Sequence, residues 1–178
     1  MMDLQKLEEA LSALPLYYYT FFDPKQLEFS PRIRHICTNE CPMYGKTWAC
    51  PPAVGSVEQC QANCLNYVNC LMIGTIAEVT DISDIAETLA TRPAHEEITN
   101  LVRDLFRQQN VEPYVLSTEA CDICSRCAWL DGQPCRHPDR MHPCVESHGI
   151  NLIPLLEENG LEFQYGENIV TWYSLLFF

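Results

Sequence analysis

No uncharged apolar run of about 18 residues occurs in the chain, so nothing in it reads as a membrane-spanning helix. The longest apolar stretches, around Leu71–Ile76 and Ser174–Phe178, are strand-sized. Basic residues are scarce, with 11 Lys and Arg against 24 Asp and Glu. A formal charge of -13 repels phosphate backbones and anionic lipid, which argues against nucleic acid or a membrane surface as partner. The opening MMDLQKLEEALSAL lacks the basic n-region and unbroken apolar h-region of an export signal. A cytoplasmic protein is therefore expected. The chain has no Gly-rich phosphate loop, no zinc-protease helix, no G-x-S-x-G elbow and no internal repeat, so neither nucleotide nor serine-type hydrolysis has support.

What it does have is cysteine, 11 in 178 residues. A chain of this length with 47% hydrophobic residues makes one globular domain, residues 1–178, and an odd number of cysteines cannot all pair within it. In a reducing compartment clustered cysteines act as metal ligands or redox thiols more often than as structural disulfides.

Asp3 caps an amphipathic helix with apolar Leu4, Leu7, Leu11 and Leu14, ended by Pro15. LYYYTFF from Leu16 reads as a strand, and RIRHI after Ser30-Pro31 as a second strand leading to Cys37. Ser56 caps a helix to about Asn66, and NCLMIGTIAEV reads as a buried strand. Two helices follow, about Ser83–Thr91 and Ala94–Gln109, interrupted by Pro93. YVLST is a short strand, and a helix near Ile153–Asn159 is terminated by Gly160. LEFQY, the turn GEN and IVTWYSLLF read as a C-terminal hairpin, with its last strand central in the monomer's own sheet. The expected fold is α+β, a mixed or antiparallel sheet with helices packed on it and two cysteine-rich metal-binding loops at its edge.

The second loop, CDICSRCAWLDGQPCRHP, places Cys121, Cys124 and Cys127 at C-x2-C-x2-C spacing with Cys135 eight residues on. Three thiolates three residues apart wrap one corner of a cube and reach different irons, the arrangement of [4Fe-4S] proteins, with Cys135 as fourth ligand. A single tetrahedral zinc usually draws C-x2-C pairs from two separated knuckles, and zinc is the alternative cofactor here. Arg136 stands where the bacterial ferredoxin run has proline. His137, His142 and His148 read as solvated or hydrogen-bonded rather than as ligands.

In the first loop, CTNECPMYGKTWACPP, Cys37, Cys41 and Cys50 need a fourth partner. Cys60 falls near the start of the helix capped by Ser56, where free N–H groups stabilise a thiolate, and is preferred to Cys64. Cys64 and Cys144 are held in reserve, and Cys70 reads as core. The site residues are therefore Cys37, Cys41, Cys50 and Cys60 for one cluster and Cys121, Cys124, Cys127 and Cys135 for the other.

The two motifs together, C-x3-C-P-x-Y-G-K-x-W-x-C-P-P from Cys37 and C-x2-C-x2-C-x7-C-R-H-P from Cys121, resemble domain-of-unknown-function family 2284, cysteine-rich predicted metal-binding proteins. The resemblance runs from about residue 32 to 178, with residues 1–31 as an N-terminal helix and strand extension. It implies a cytoplasmic iron–sulfur or metal-binding protein without a settled reaction. Glu146 and Gly149 match the family's pattern, and Cys144 stands where it has serine.

Three functions follow. The first is an electron-transfer or redox accessory protein with two [4Fe-4S] clusters, whose acidic surface suits a protein redox partner with a basic docking face. The second is an enzyme with an open-site cluster as Lewis acid or redox centre, attended by Cys144, His142 or Glu146. The third is a structural or regulatory zinc protein.

Overall fold

The computed structural model describes residues 2–178. Its centre is a four-stranded antiparallel sheet of β1 (Tyr18–Phe22), β3 (Cys70–Glu78), β6 (Ile169–Phe177) and β4 (Tyr114–Leu116), neighbours in that order. β3 and β6 pair along their whole length, from Cys70 opposite Phe177 to Glu78 opposite Ile169. The C-terminal strand is thus central, as its apolar sequence required. A small antiparallel ribbon joins β2 (Glu28–Phe29) to β5 (Ile150–Asn151).

Successive side chains in a strand point to opposite faces, and both faces of this sheet are covered. Leu71, Ile73, Val115 and Leu176 pack with Leu7 and Leu11 of α1 (Leu4–Leu11) and with Val102 and Phe106 of α4 (Ile85–Gln108). Cys70, Met72, Leu116, Leu175 and Phe177 face the other way, against Cys64 of α3 (Val57–Leu65) and Leu155 and Leu156 of α5 (Ile153–Glu158). Burial on both faces explains why LMIG and SLLF are unbroken apolar runs rather than alternating ones.

Three local expectations are corrected. RIRHI is not a strand: Pro31–Asn39 forms α2, with Ser30 Oγ accepting from the Arg32 N–H at 3.3 Å and Pro31 at its first turn. The helix buries no residue, so it has no apolar period to betray it. Pro93 does not split the next helix either. α4 runs 24 residues through it. An interior proline costs about 3 kcal/mol, but residues on both sides of it, Arg92, His95, Thr99 and Phe106, are anchored in the interior. Finally, LEFQY forms no strand against β6, whose two sides are taken by β3 and, over its last residues, by β4. The segment is held instead by side chains, including Tyr173 Oη donating to the Glu162 carbonyl at 3.2 Å.

Candidate metal centre

The two cysteine loops lie against each other. In the first, Cys37 lies in the last turn of α2 and Cys41 just past its C-cap Glu40. The chain then folds through tight turns, with the Cys41 N–H donating to the Ile36 carbonyl at 3.1 Å and Gly45 N–H to Pro51 at 2.8 Å, and delivers Cys50 to the interior. Burial pushes the Cys37 thiol up to about 11, and nearby Glu146, Cys41 and Cys50 add to the shift. Cys50 is raised by burial and then by Cys41, Glu119 and Cys127. These thiols lie within range of one another's charge.

The second loop begins where β4 ends. Arg92, buried on α4, holds its root: Nε donates to the Thr118 carbonyl at 3.0 Å, and the guanidinium pairs with Asp122 at 3.0 Å and Glu96 at 3.3 Å. Ser117 donates to Glu96 and meets Ser174 Oγ at 3.0 Å, and Ser174 in turn meets His95 Nε2 at 2.7 Å. A buried polar chain therefore ties the loop's start to the middle of the sheet. Beyond it, Cys121, Cys124, Cys127 and Cys135 all line one narrow cavity, closed by Trp48, Ile123 and Met141. All four are half-exposed. Burial, the largest cause, pushes Cys121 up to about 11.

The two loops grip each other. Trp48 and Trp129 meet edge to face with ring centroids 4.7 Å apart. Trp129 Nε1 donates to the Gly45 carbonyl in the first loop, and Trp48 Nε1 to Gln133 in the second, each at 3.0 Å.

Cys60 is buried in α3, its thiol donating to the Val54 carbonyl at 3.3 Å and its sulfur accepting from Arg34 Nη2 at 3.4 Å. Burial raises its pKa, opposed chiefly by Arg34, and no other loop cysteine is among its hydrogen-bond partners. Ser56 caps this helix as the sequence implied, with Gln59 completing the capping box. Cys64 and Cys70 pack in the core, where burial pushes Cys64 up to about 12.

Cys144 is brought to the first loop from far along the chain. It bridges to Ser117 at the end of β4, and the Ser147 N–H donates to its sulfur at 3.3 Å. Burial raises it well above the usual thiol value, with Glu146 and then Cys50 adding. Gly149 lets this segment approach α2: its carbonyl accepts from the Ser30 N–H at 2.6 Å, and a Cβ there would lie 3.1 Å from the Ser30 oxygen. Its φ of +72° also favours glycine. Glu146 stands in a crevice, reachable by solvent yet crowded by protein, and its carboxyl is raised by that crowding and by Glu119.

His142 Nε2 meets Asn100 Oδ1 at 3.1 Å and His148 Nε2 meets the Tyr114 hydroxyl at 2.5 Å, so both are engaged in hydrogen bonds. None of the 11 cysteines forms a disulfide. Among the described residues, no three His, Cys, Asp or Glu side chains are close enough to hold one metal ion. No helix among them is long and apolar enough to cross a membrane. Sequence reasoning missed Glu119, whose φ of +57° places it at a sharp turn just before Cys121. Only its place beside the cysteine motif hinted at it.

An antiparallel sheet clad in helices, with two interlocked loops that carry free thiols, defines a cysteine-rich α+β protein. The family model for predicted metal-binding protein (DUF2284) matches residues 20–178, and the chain belongs to that family. The match begins ahead of Arg32 and takes in most of β1. No curated protein and no solved structure matches the chain.

Proposed function

We propose that this is an iron–sulfur protein with two [4Fe-4S] clusters, one at each loop, acting in electron transfer or as a redox accessory protein. The observation that carries the reading is that Cys121, Cys124, Cys127 and Cys135 surround one cavity at C-x2-C-x2-C spacing. Three thiolates at that spacing can each reach a different metal of a multi-iron cluster, whereas a lone zinc usually takes C-x2-C pairs from two separated knuckles. Such clusters carry single electrons.

The chain's own residues do the rest. The second cluster takes Cys121, Cys124, Cys127 and Cys135, with Trp48 and Met141 covering it from water. The first takes Cys37, Cys41 and Cys50. For its fourth ligand the capped helix suggested Cys60, but that sulfur is already engaged by Arg34, while Cys144 lies within reach of the charge on Cys50; Cys144 is therefore preferred. The interlocked tryptophans and the influence of Cys127 on Cys50 support two adjacent sites, a spacing suited to electron exchange. The net charge of -13 suits a redox partner with a basic docking face.

The test is iron, zinc and acid-labile sulfide per chain on protein purified without oxygen, with an electron paramagnetic resonance spectrum before and after dithionite. About eight irons and eight sulfides with a reducible signal are expected. Stoichiometric zinc without sulfide would sink the reading.

A further inference from the structure

Where β4 leaves the sheet after Leu116, one side of β6 loses its partner strand, since β4 pairs only with Leu175 to Phe177. A cavity of about 250 Å³ occupies the place where the ladder would have continued, bordered by Ile169 to Tyr173 of β6. Its walls are largely apolar, from Leu152, Phe163 and Trp172. Thr118, Glu119 and Glu146 also line it, together with Thr88, Thr171 and Tyr173, whose hydroxyls donate to the backbone carbonyls of Ile82, Phe163 and Glu162. Thr118 is only 8% exposed, and its hydroxyl has no hydrogen-bond partner. An orphaned buried hydroxyl is costly, and a ligand that satisfies it offsets the cost. Among the described residues neither glutamate has an ion-pair partner, although other acidic groups of the chain find arginines.

We propose that this cavity binds a small organic cation, an ammonium group on an apolar body, its charge held by Glu119 and Glu146 and one N–H donated to Thr118 Oγ1. Phe163, Leu152 and Trp172 cover the body. A bare divalent ion fits poorly. It asks for six or more oxygens, and beyond the two carboxyl groups and Thr118 the hydroxyls lining this cavity, on Thr88, Thr171 and Tyr173, are held by backbone carbonyls. The volume, just under the usual range for drug-sized ligands, sets the occupant's size near a monocyclic amine. The inference stands apart from the nature of the metal, although the ligand would sit beside the first thiol set, because Glu146 acts on Cys37 and Cys144 and Glu119 on Cys50.

The experiment titrates the full chain, purified without oxygen, with benzylamine and with its uncharged counterpart benzyl alcohol at neutral pH, by calorimetry or ligand-observed nuclear magnetic resonance. Benzylamine is expected to bind saturably and about ten-fold more tightly than the alcohol, the worth of one charge-assisted hydrogen bond. Glu119→Gln on the exposed turn and Phe163→Ala on the exposed wall are each expected to weaken it about as much, with metal content unchanged. No binding at millimolar benzylamine, equal binding of the alcohol, or wild-type affinity in either variant would overturn the assignment. Metal analysis of each variant separates a failure of the cavity from a failure of the metal reading, and Phe163→Ala carries the test should Glu119→Gln lose metal.

Discussion

The two cysteine loops differ in how the fold assembles them. The four cysteines of the second sit in one short stretch and surround their cavity through that stretch's own turns, such as the Leu130 N–H donating to the Cys127 carbonyl at 3.2 Å. The proposed first set draws Cys37 from a helix end, Cys50 from a turn and Cys144 from beyond the second loop, next to the point where Gly149 packs on Ser30. A local set leans on its own loop and a few anchors, whereas a dispersed one needs segments from across the fold. The second site should therefore tolerate damage to the scaffold better than the first.

The largest expected effects separate the two sites by metal content. Cys124→Ser should halve iron and sulfide, because a single missing thiolate opens the second cluster, and the signal that remains should be that of the first alone. Cys144→Ser should remove or destabilise the other half, while Cys60→Ser should leave iron and sulfide at the wild-type level. The reverse ranking of these last two would restore the helix-start cysteine as the fourth ligand.

Legibility followed the same division. The four cysteines that line the second loop's cavity could be grouped from the sequence because they are neighbours in it. The central strands were legible because burial on both faces leaves continuous apolar runs at Leu71–Ile73 and Leu175–Phe177. α2 was not, since an exposed helix has no apolar period, although Ser30-Pro31 carried a start signal that the alternation in RIRHI obscured. The unbroken α4 depends on anchors such as Arg92 on Thr118, which no local pattern around Pro93 reveals. Cys144 and the Glu119–Glu146 cavity are products of tertiary contact.

A smaller effect tests the anchoring of the second loop. Burial, with Arg92 adding, holds His95 at about 3 against an ordinary 6.5, so the fold requires the neutral ring. Its contribution is complete above pH 6.5 and is lost as pH falls toward about 3, at about 1.4 kcal/mol per pH unit. Because His95 leads through Ser174 and Ser117 to Glu96 and Arg92, acid should loosen the root of the second loop. Urea unfolding over this window should show His95→Gln with the flatter dependence, and equal slopes would remove His95 from the account.

The smallest effect bears on whether the sites are independent at all. Trp129→Phe keeps an aromatic ring against Trp48 but deletes the hydrogen bond to Gly45, a cost of about 1 kcal/mol. Trp48→Phe deletes the bond to Gln133 near the surface and should cost less, since solvent can replace the lost partner. If each loop were a separate unit, Trp129→Phe would speed metal release to a chelator only from the second site. The reciprocal clamp predicts faster release from both, because the bond lost by Trp129 is one that held the first loop's turn at Gly45, and that turn delivers Cys50.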